Sequence, residues 1–238
     1  MHLFYCPDIS GTTHVLPEEE SKHCIRVLRL KQGDTVHITD GRGNLHECRI
    51  SEDHPKHCSL EVTTSTYSPS RGNERLHVAI APTKNAERLE WFLEKATEIG
   101  IDEITPIICE HSERMVLKQA RMEKVIISAM KQSLKSWLPK LNQPQEFMEF
   151  IRSEIAGQKF IAWCETGKEQ HLQELLVPAK DRLILIGPEG DFSSRELAAA
   201  VSYGFTPVSL GNSRLRTETA GTVACALIES FAEQTSGK

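Results

Sequence analysis

The spacing of apolar residues changes part-way along this chain, and the change divides it in two. Up to about residue 66 there are short runs in which apolar and polar residues alternate: THVLP, VHITDGRGNLHECRI and CSLEVTTSTY. A period of two predicts half-buried strands. The segment Asp40-Gly41-Arg42-Gly43-Asn44 lies inside one such run and predicts a hairpin turn. KHCIRVLRL places Cys24, Val27 and Leu28 on one face, which predicts a short helix. Together these read as a small β-barrel or sandwich. The polar stretch TYSPSRGNER carries Pro and Gly and reads as a linker, so the first domain is taken as residues 1–70 and the second as 71–238.

From about residue 75 buried-strand runs alternate with helical ones. LHVAIAP, EITPIIC, KFIAWCE, RLILIG and TPVSLG predict strands. NAERLEWFLEKATEIG carries Leu89, Phe92, Leu93, Ala96 and Ile99 on one stripe and stops at Gly100. Residues 121–138, KEQHLQELLV, SSRELAAAVSYG and residues 219–234 predict further helices, the third of them opened by a Ser193–Glu196 capping box and closed by Gly204. Such alternation predicts an α/β domain with a parallel sheet covered on both faces.

Composition narrows the class. In 238 residues, 39% hydrophobic and 26% charged content is ordinary for a soluble globular chain. No apolar run is long enough to predict a membrane span, and MHLFYCPDIS lacks the pattern of a secretory leader. The seven cysteines (6, 24, 48, 58, 109, 164 and 225) form no CxxC pair, and the histidines no HxxxH pair, so neither a metal site nor a disulfide framework is expected. A reducing cytoplasm is the simplest reading. The net charge of -5 argues against indiscriminate nucleic-acid binding. Locally the balance differs. Arg114, Lys118, Arg121, Lys124, Lys131, Lys135 and Lys140 face only one acid, Glu123, and several are spaced to share one helix side. Such a face either is simply solvated or meets a polyanion.

The chemistry is expected beyond the carboxyl ends of the parallel strands. Three of these ends meet Gly, an acid or a hydroxyl at once: WCETG (163–167), IGPEGDFS (186–193) and LGNSRLRTETAG (210–221). In IGPEG, Gly187 and Gly190 let backbone approach a ligand while Pro188 stiffens the turn. The P-loop lysine and a GxGxxG pattern are both absent, so neither a phosphate cradle nor a dinucleotide site is read here. In the last loop Thr217 or Thr219 can cap the final helix and Glu218 suits its positive end. Capping leaves Arg214 and Arg216 unexplained, and arginines so placed commonly meet a carboxylate or a phosphate.

These residues carry a family resemblance. IGPEGDFS, followed by LGNSRLRTETA, resembles the signature of the RsmE family of SPOUT-superfamily methyltransferases, which act on N3 of a uridine in small-subunit (16S) ribosomal RNA. EWFLEKATEIGIDEITPI, MKQSLKSWLPKL and VLRLKQGDTVHITDGRGN are similar to further segments of the family, so the resemblance spans nearly the whole chain. There are departures: Lys131 stands where Glu is usual, Lys135 where Arg is usual, Asp191 in place of a common Gly, and Ser213 where arginine is frequent.

The resemblance implies a C-terminal trefoil-knotted SPOUT domain, a PUA-like N-terminal barrel, S-adenosylmethionine as cofactor, a C2 homodimer, and small-subunit rRNA or the assembled 30S subunit as partner, with no metal and no membrane. It implies that Cys164, Glu165, Ile186, Gly187, Pro188, Glu189, Gly190, Leu210, Gly211, Leu215, Arg216, Thr217 and Thr219 hold the cofactor. Arg216 is the candidate cation for charge on the uracil, and Glu218 and Glu189 are the candidate bases. Arg26, Arg29, Arg114, Lys118, Lys131, Lys135 and Arg214 are the candidate RNA contacts. The alternatives are a SPOUT enzyme acting on another base or ribose, a non-catalytic ribosome-assembly factor, and a nucleotide-binding regulator.

Overall fold

The structure, a computed structural model, describes residues 1–69, 74–163 and 169–235. It divides into two compact units, Met1–Ser70 with Met130–Leu138, and Arg71–Ala129 with Pro139–Lys238. The expected boundary at 70/71 is thus crossed by one excursion: residues 130–138 cluster with the first unit.

In the first unit β1 is Leu3–Tyr5, β2 Thr13–Val15, β3 Thr35–Thr39, β4 Asn44–Glu52 and β5 Ser59–Tyr67. The sheet order is β1-β3-β4-β5-β2, with β1 parallel to β3 and the other pairs antiparallel. The short helix α1, Glu18–Lys22, runs into one π-type turn, His23–Val27, so the expected helix starts earlier than its apolar spacing indicated. The inward faces bury Phe4, Leu16, Val36, Ile38, Ile50 and Leu60 together with Cys6, Cys24, Cys48 and Cys58. The predicted hairpin joins β3 to β4. Its Gly43 has φ 95°, and a Cβ there would lie 2.6 Å from the Trp137 ring, so both dihedral and space demand glycine. Residues 136–138 add to this hairpin: Gly43 N–H donates to Ser136 O (2.9 Å), Leu138 N–H to Gly41 O (2.9 Å) and Trp137 Nε1–H to Ser68 O (2.9 Å).

The second unit contains β6 (Leu76–Ile80), α2 (Ala86–Ile99), β7 (Glu103–Ile108), α3 (Gln119–Gln132, whose end belongs to the first unit), β8 (Lys140–Leu141), β9 (Gln145–Glu146) and α4 (Phe147–Arg152). There follow β10 (Gln158–Ala162), α5 (Leu172–Leu175), β11 (Arg182–Ile186), α6 (Ser194–Ser202), β12 (Thr206–Val208) and α7 (Thr217–Thr235). The strand order is β12-β10-β11-β6-β7-β8, with β9 also on β7, and every pairing is parallel. β11 is buried along its whole length, as a central parallel strand must be. The architecture is therefore the α/β parallel sheet with a small separate β unit that the rhythm of the sequence predicts.

Local signals set several ends. The Asn85 side chain accepts from Glu87 N–H and starts α2, and Gly100, at φ 125°, ends it. The Ser193–Glu196 capping box forms with both of its hydrogen bonds. Gly221 of α7 faces Phe92 of α2, where a Cβ would come within 2.7 Å of the ring. One expectation is corrected. The helix predicted over residues 121–138 stops at Gln132, because Leu134 turns into the left-handed region (φ 56°) and Lys135 N–H closes back on Met130 O. The basic residues of 114–140 therefore do not share one helix face. Among the described residues, no helix is long and apolar enough to cross a membrane.

Candidate active site

The ends of β11 and β12 meet in one cavity of about 1000 Å³. Ile186, Gly187, Pro188, Glu189, Gly190 and Asp191 line it from one loop, and Ser209, Leu210, Gly211, Asn212, Ser213, Arg214, Leu215, Arg216 and Thr217 from the other. Ala162 and Glu169 flank the third strand end, and Arg88 and Ala220 complete the lining. Cys164 and Glu165, expected at the site from WCETG, lie outside the described residues, as does that part of the expected knot.

The two loops are tied together. Thr217 Oγ1 donates to Gly187 O at 3.0 Å, so the first residue of α7 holds the end of β11. Ser209 Oγ accepts from Gly211 N–H at 3.1 Å. Gly211 has φ 130° and open space where a Cβ would stand, so its backbone presents a bare edge. A Cβ on Gly187 would lie 3.1 Å from the Phe192 ring. Asp191, at φ 61°, accepts from Phe192 N–H through Oδ1 at 2.8 Å. His111 Nδ1 lies 3.1 Å from Gly190 O and 3.0 Å from Asp191 O, and these carbonyls, Asp191's first, raise its pKa above the ordinary imidazole value.

The candidate bases differ in surroundings. Glu189 Oε1 accepts the Lys84 N–H at 3.0 Å and so clasps the loop before α2. Arg114 grips the same loop, donating to Thr83 O (3.2 Å) and Lys84 O (2.7 Å). Glu218 is 7% exposed. Its Oε1 lies 3.8 Å from Arg88 Nε, and its buried Oε2 has no hydrogen-bond partner among the described residues. Neither Glu218 nor Thr219 lines the cavity. Arg214 and Arg216 are exposed, line it, and make no ion pair among the described residues.

The candidate RNA contacts fall in both units. Arg26, Arg29, Lys131 and Lys135 belong to the first, and Arg114, Lys118 and Arg214 to the second. Arg26, Arg29 and Lys118 are exposed. Lys131 is committed to Glu20 at 2.6 Å. Of the other basic residues in the stretch, Arg121 pairs with Glu90 at 2.6 Å and Lys140 with Glu103 at 2.9 Å. Among the described residues no group of three or more His, Cys, Asp or Glu could hold a metal ion. Sequence reasoning missed Arg88. It stands in the first turn of α2, far from the Gly-rich loops, and reads as an ordinary exposed helix position.

Comparison with known proteins bears on this geometry. Residues 70–229 match the RNA methyltransferase domain family, and residues 16–63 match the RNA methyltransferase PUA domain. The ribosomal RNA small subunit methyltransferase E of Synechocystis is 30% identical over 236 residues, covering 94% of this chain and 75% of that protein. This chain belongs to the RsmE family of RNA methyltransferases. The ribosomal RNA small subunit methyltransferase E of Aquifex aeolicus is 27% identical, covering 97% of this chain and all of that one. Among crystal structures, a probable rRNA-methyltransferase from Porphyromonas gingivalis superposes with a TM-score of 0.92 at 43% identity, covering 98% of this chain and 99% of its own. The RsmE structure from Neisseria gonorrhoeae, bound to S-adenosyl methionine, gives 0.82 at 27% identity and 98% coverage of each chain.

Proposed function

We infer that this RsmE-family chain methylates N3 of a uridine in 16S ribosomal RNA, using S-adenosylmethionine. The observation that carries the reading is the single cavity formed where IGPEGD and LGNSRLRT leave neighbouring parts of one parallel sheet. The residues fit the cofactor. Gly187, Gly190 and Gly211 bring bare backbone to the cavity wall, suited to the edge of a neutral heterocycle, and the volume leaves room for a second ring beside it. When bound, S-adenosylmethionine supplies an electrophilic methyl group, and the protein's task is to place the acceptor and stabilise its charge.

The acceptor nitrogen carries a proton, and its negative charge spreads onto the uracil oxygens once that proton leaves. Arg216, exposed in the cavity without an ion-pair partner among the described residues, is the proposed cation for that charge or for the adjoining phosphate. Thr217 holds the loop that carries it. Arg26, Arg29 and Lys118, all exposed, are the proposed backbone contacts to RNA, and the target base must leave its stack to reach the cavity.

A homodimer is the assembly the family resemblance implies, and a cytoplasmic setting fits the free, buried state of Cys6, Cys24, Cys48, Cys58, Cys109 and Cys225. The deciding experiment is nucleoside mass spectrometry of small-subunit rRNA from cells lacking the gene and from the same cells complemented. Loss and return of 3-methyluridine is the expected result. Loss of a different methylated nucleoside would overturn the substrate while keeping the cofactor, and no change in any would favour an assembly factor.

A further inference from the structure

We propose that Arg88 is a catalytic residue, a second guanidinium that stabilises the negative charge on the uracil beside Arg216, and that Glu218 is its positioning residue rather than the base. The proposal rests on the functional reading above. Arg88 lines the cavity from α2, the wall opposite in origin to the strand-end loops that carry the glycines. Its side chain is 38% exposed, and its one ion pair among the described residues is with Glu218, 3.8 Å from Nε. The fork of Nη donors therefore has no hydrogen-bond partner among the described residues. A permanently charged donor is what an oxygen that gains negative charge needs.

Glu218 does not suit the work of a base. It does not line the cavity, and its Oε2 is a buried acceptor with no partner among the described residues. Proteins rarely leave a buried carboxylate oxygen unsatisfied without a use for its charge. At the positive end of α7 and beside Arg88, that charge holds the guanidinium at the cavity wall and offsets its desolvation. In the step itself the bond formed is uracil N3–CH3, and the bond broken is the sulfonium S–CH3, which leaves a neutral thioether. The N3 proton passes to solvent at the mouth of the cavity, and Arg88 lowers the cost of that loss by binding the oxygen on which charge appears.

The test compares the full-length wild type with Arg88→Gln, Glu218→Gln and the double variant, measuring turnover across pH and S-adenosylmethionine affinity by calorimetry. Arg88→Gln should lower turnover near neutral pH by roughly 100-fold, the low end of what removal of an oxyanion donor costs. Cofactor affinity should stay within about two-fold, and the deficit should narrow as pH rises and the imide ionises unaided. Glu218→Gln should cost no more than about five-fold, since it only loosens Arg88. The double variant, which carries no orphaned buried charge, should fold and remain as slow as Arg88→Gln. Recovery of the double variant towards wild type would overturn the proposal, since Arg88 would then serve only to neutralise Glu218. So would cofactor affinity falling in step with turnover, or a deficit that does not change with pH. Failure of the functional reading is separate: it shows in which nucleoside the wild type makes, not in the ratio of variant to wild type.

Discussion

The loop 209–217 and the stretch 114–140 look alike on paper, for each concentrates cationic side chains where structure alone needs few. The fold treats them differently. In the loop, Arg214 and Arg216 stay exposed on a cavity wall with no ion-pair partner among the described residues. In the stretch, Arg114 is spent on two backbone carbonyls, Arg121 on Glu90, Lys131 on Glu20 and Lys140 on Glu103. The difference teaches that an excess of one charge along a sequence is not yet an excess in space. Acids delivered from 31, 111 and 37 residues away cancel about half of it.

The sharpest way to break the contrast is Arg216→Ala. An arginine free to act on a ligand should cost turnover on the order of 100- to 1000-fold when removed, with the melting temperature unchanged. A protein that loses melting temperature instead would put Arg216 among the committed residues.

Next in size is a pH effect on a committed polar group. His77 on β6 lies 2.8 Å from Thr105 Oγ1, and Asn142 Nδ2 donates to the same oxygen at 2.7 Å and to Glu103 Oε1 at 2.7 Å. Burial pushes the His77 pKa down to about 4, outweighing the pull of Glu103. The folded value lies below the unfolded one, so His77 is neutral in the fold. Its contribution is complete above about pH 6.5 and is lost as pH falls towards 4, amounting to about 3 kcal/mol by linkage. Urea midpoints at pH 7 and pH 5 should show the fall, and His77→Asn should flatten it.

Lys131→Met should be smaller, a loss of about 1 kcal/mol in stability from a half-buried pair that leaves Glu20 unmatched. RNA affinity should change little, because this lysine is already engaged. Smallest is Arg121→Ala, where the exposed guanidinium reaches back to Glu90; its loss should barely move the melting temperature and leave the salt dependence of RNA binding unchanged. A marked change in RNA affinity in either variant would restore the basic face that the fold dismantles.

Signals that act within a few residues were legible. The Ser193–Glu196 box, Gly100 and the Asp40–Asn44 hairpin each set an element where the sequence alone places it. Elements held by distant partners were not. β1 pairs with β3, more than thirty residues on, and β8 and β9 are two residues long, too short for any period to register. Leu134 ends α3 without the glycine that normally announces such a turn. The cavity loops could be read because glycine, acid and hydroxyl crowd a strand end. Arg88 could not, because only the meeting of α2 with α7 gives it a task.

Residues 130–138 have a consequence for how the molecule is made. A chain growing from its N-terminus has all five strands of the first unit once Tyr67 emerges, yet the piece that seats against Gly41, Gly43 and Ser68 is more than sixty residues behind. Until Leu138 has been synthesised, the hairpin's backbone groups wait without their final partners. The first unit is therefore early in sequence but late in completion. A fragment cut at residue 70 would be an unfinished domain, and one that joins a copy of residues 130–138 to it would be the smallest whole one.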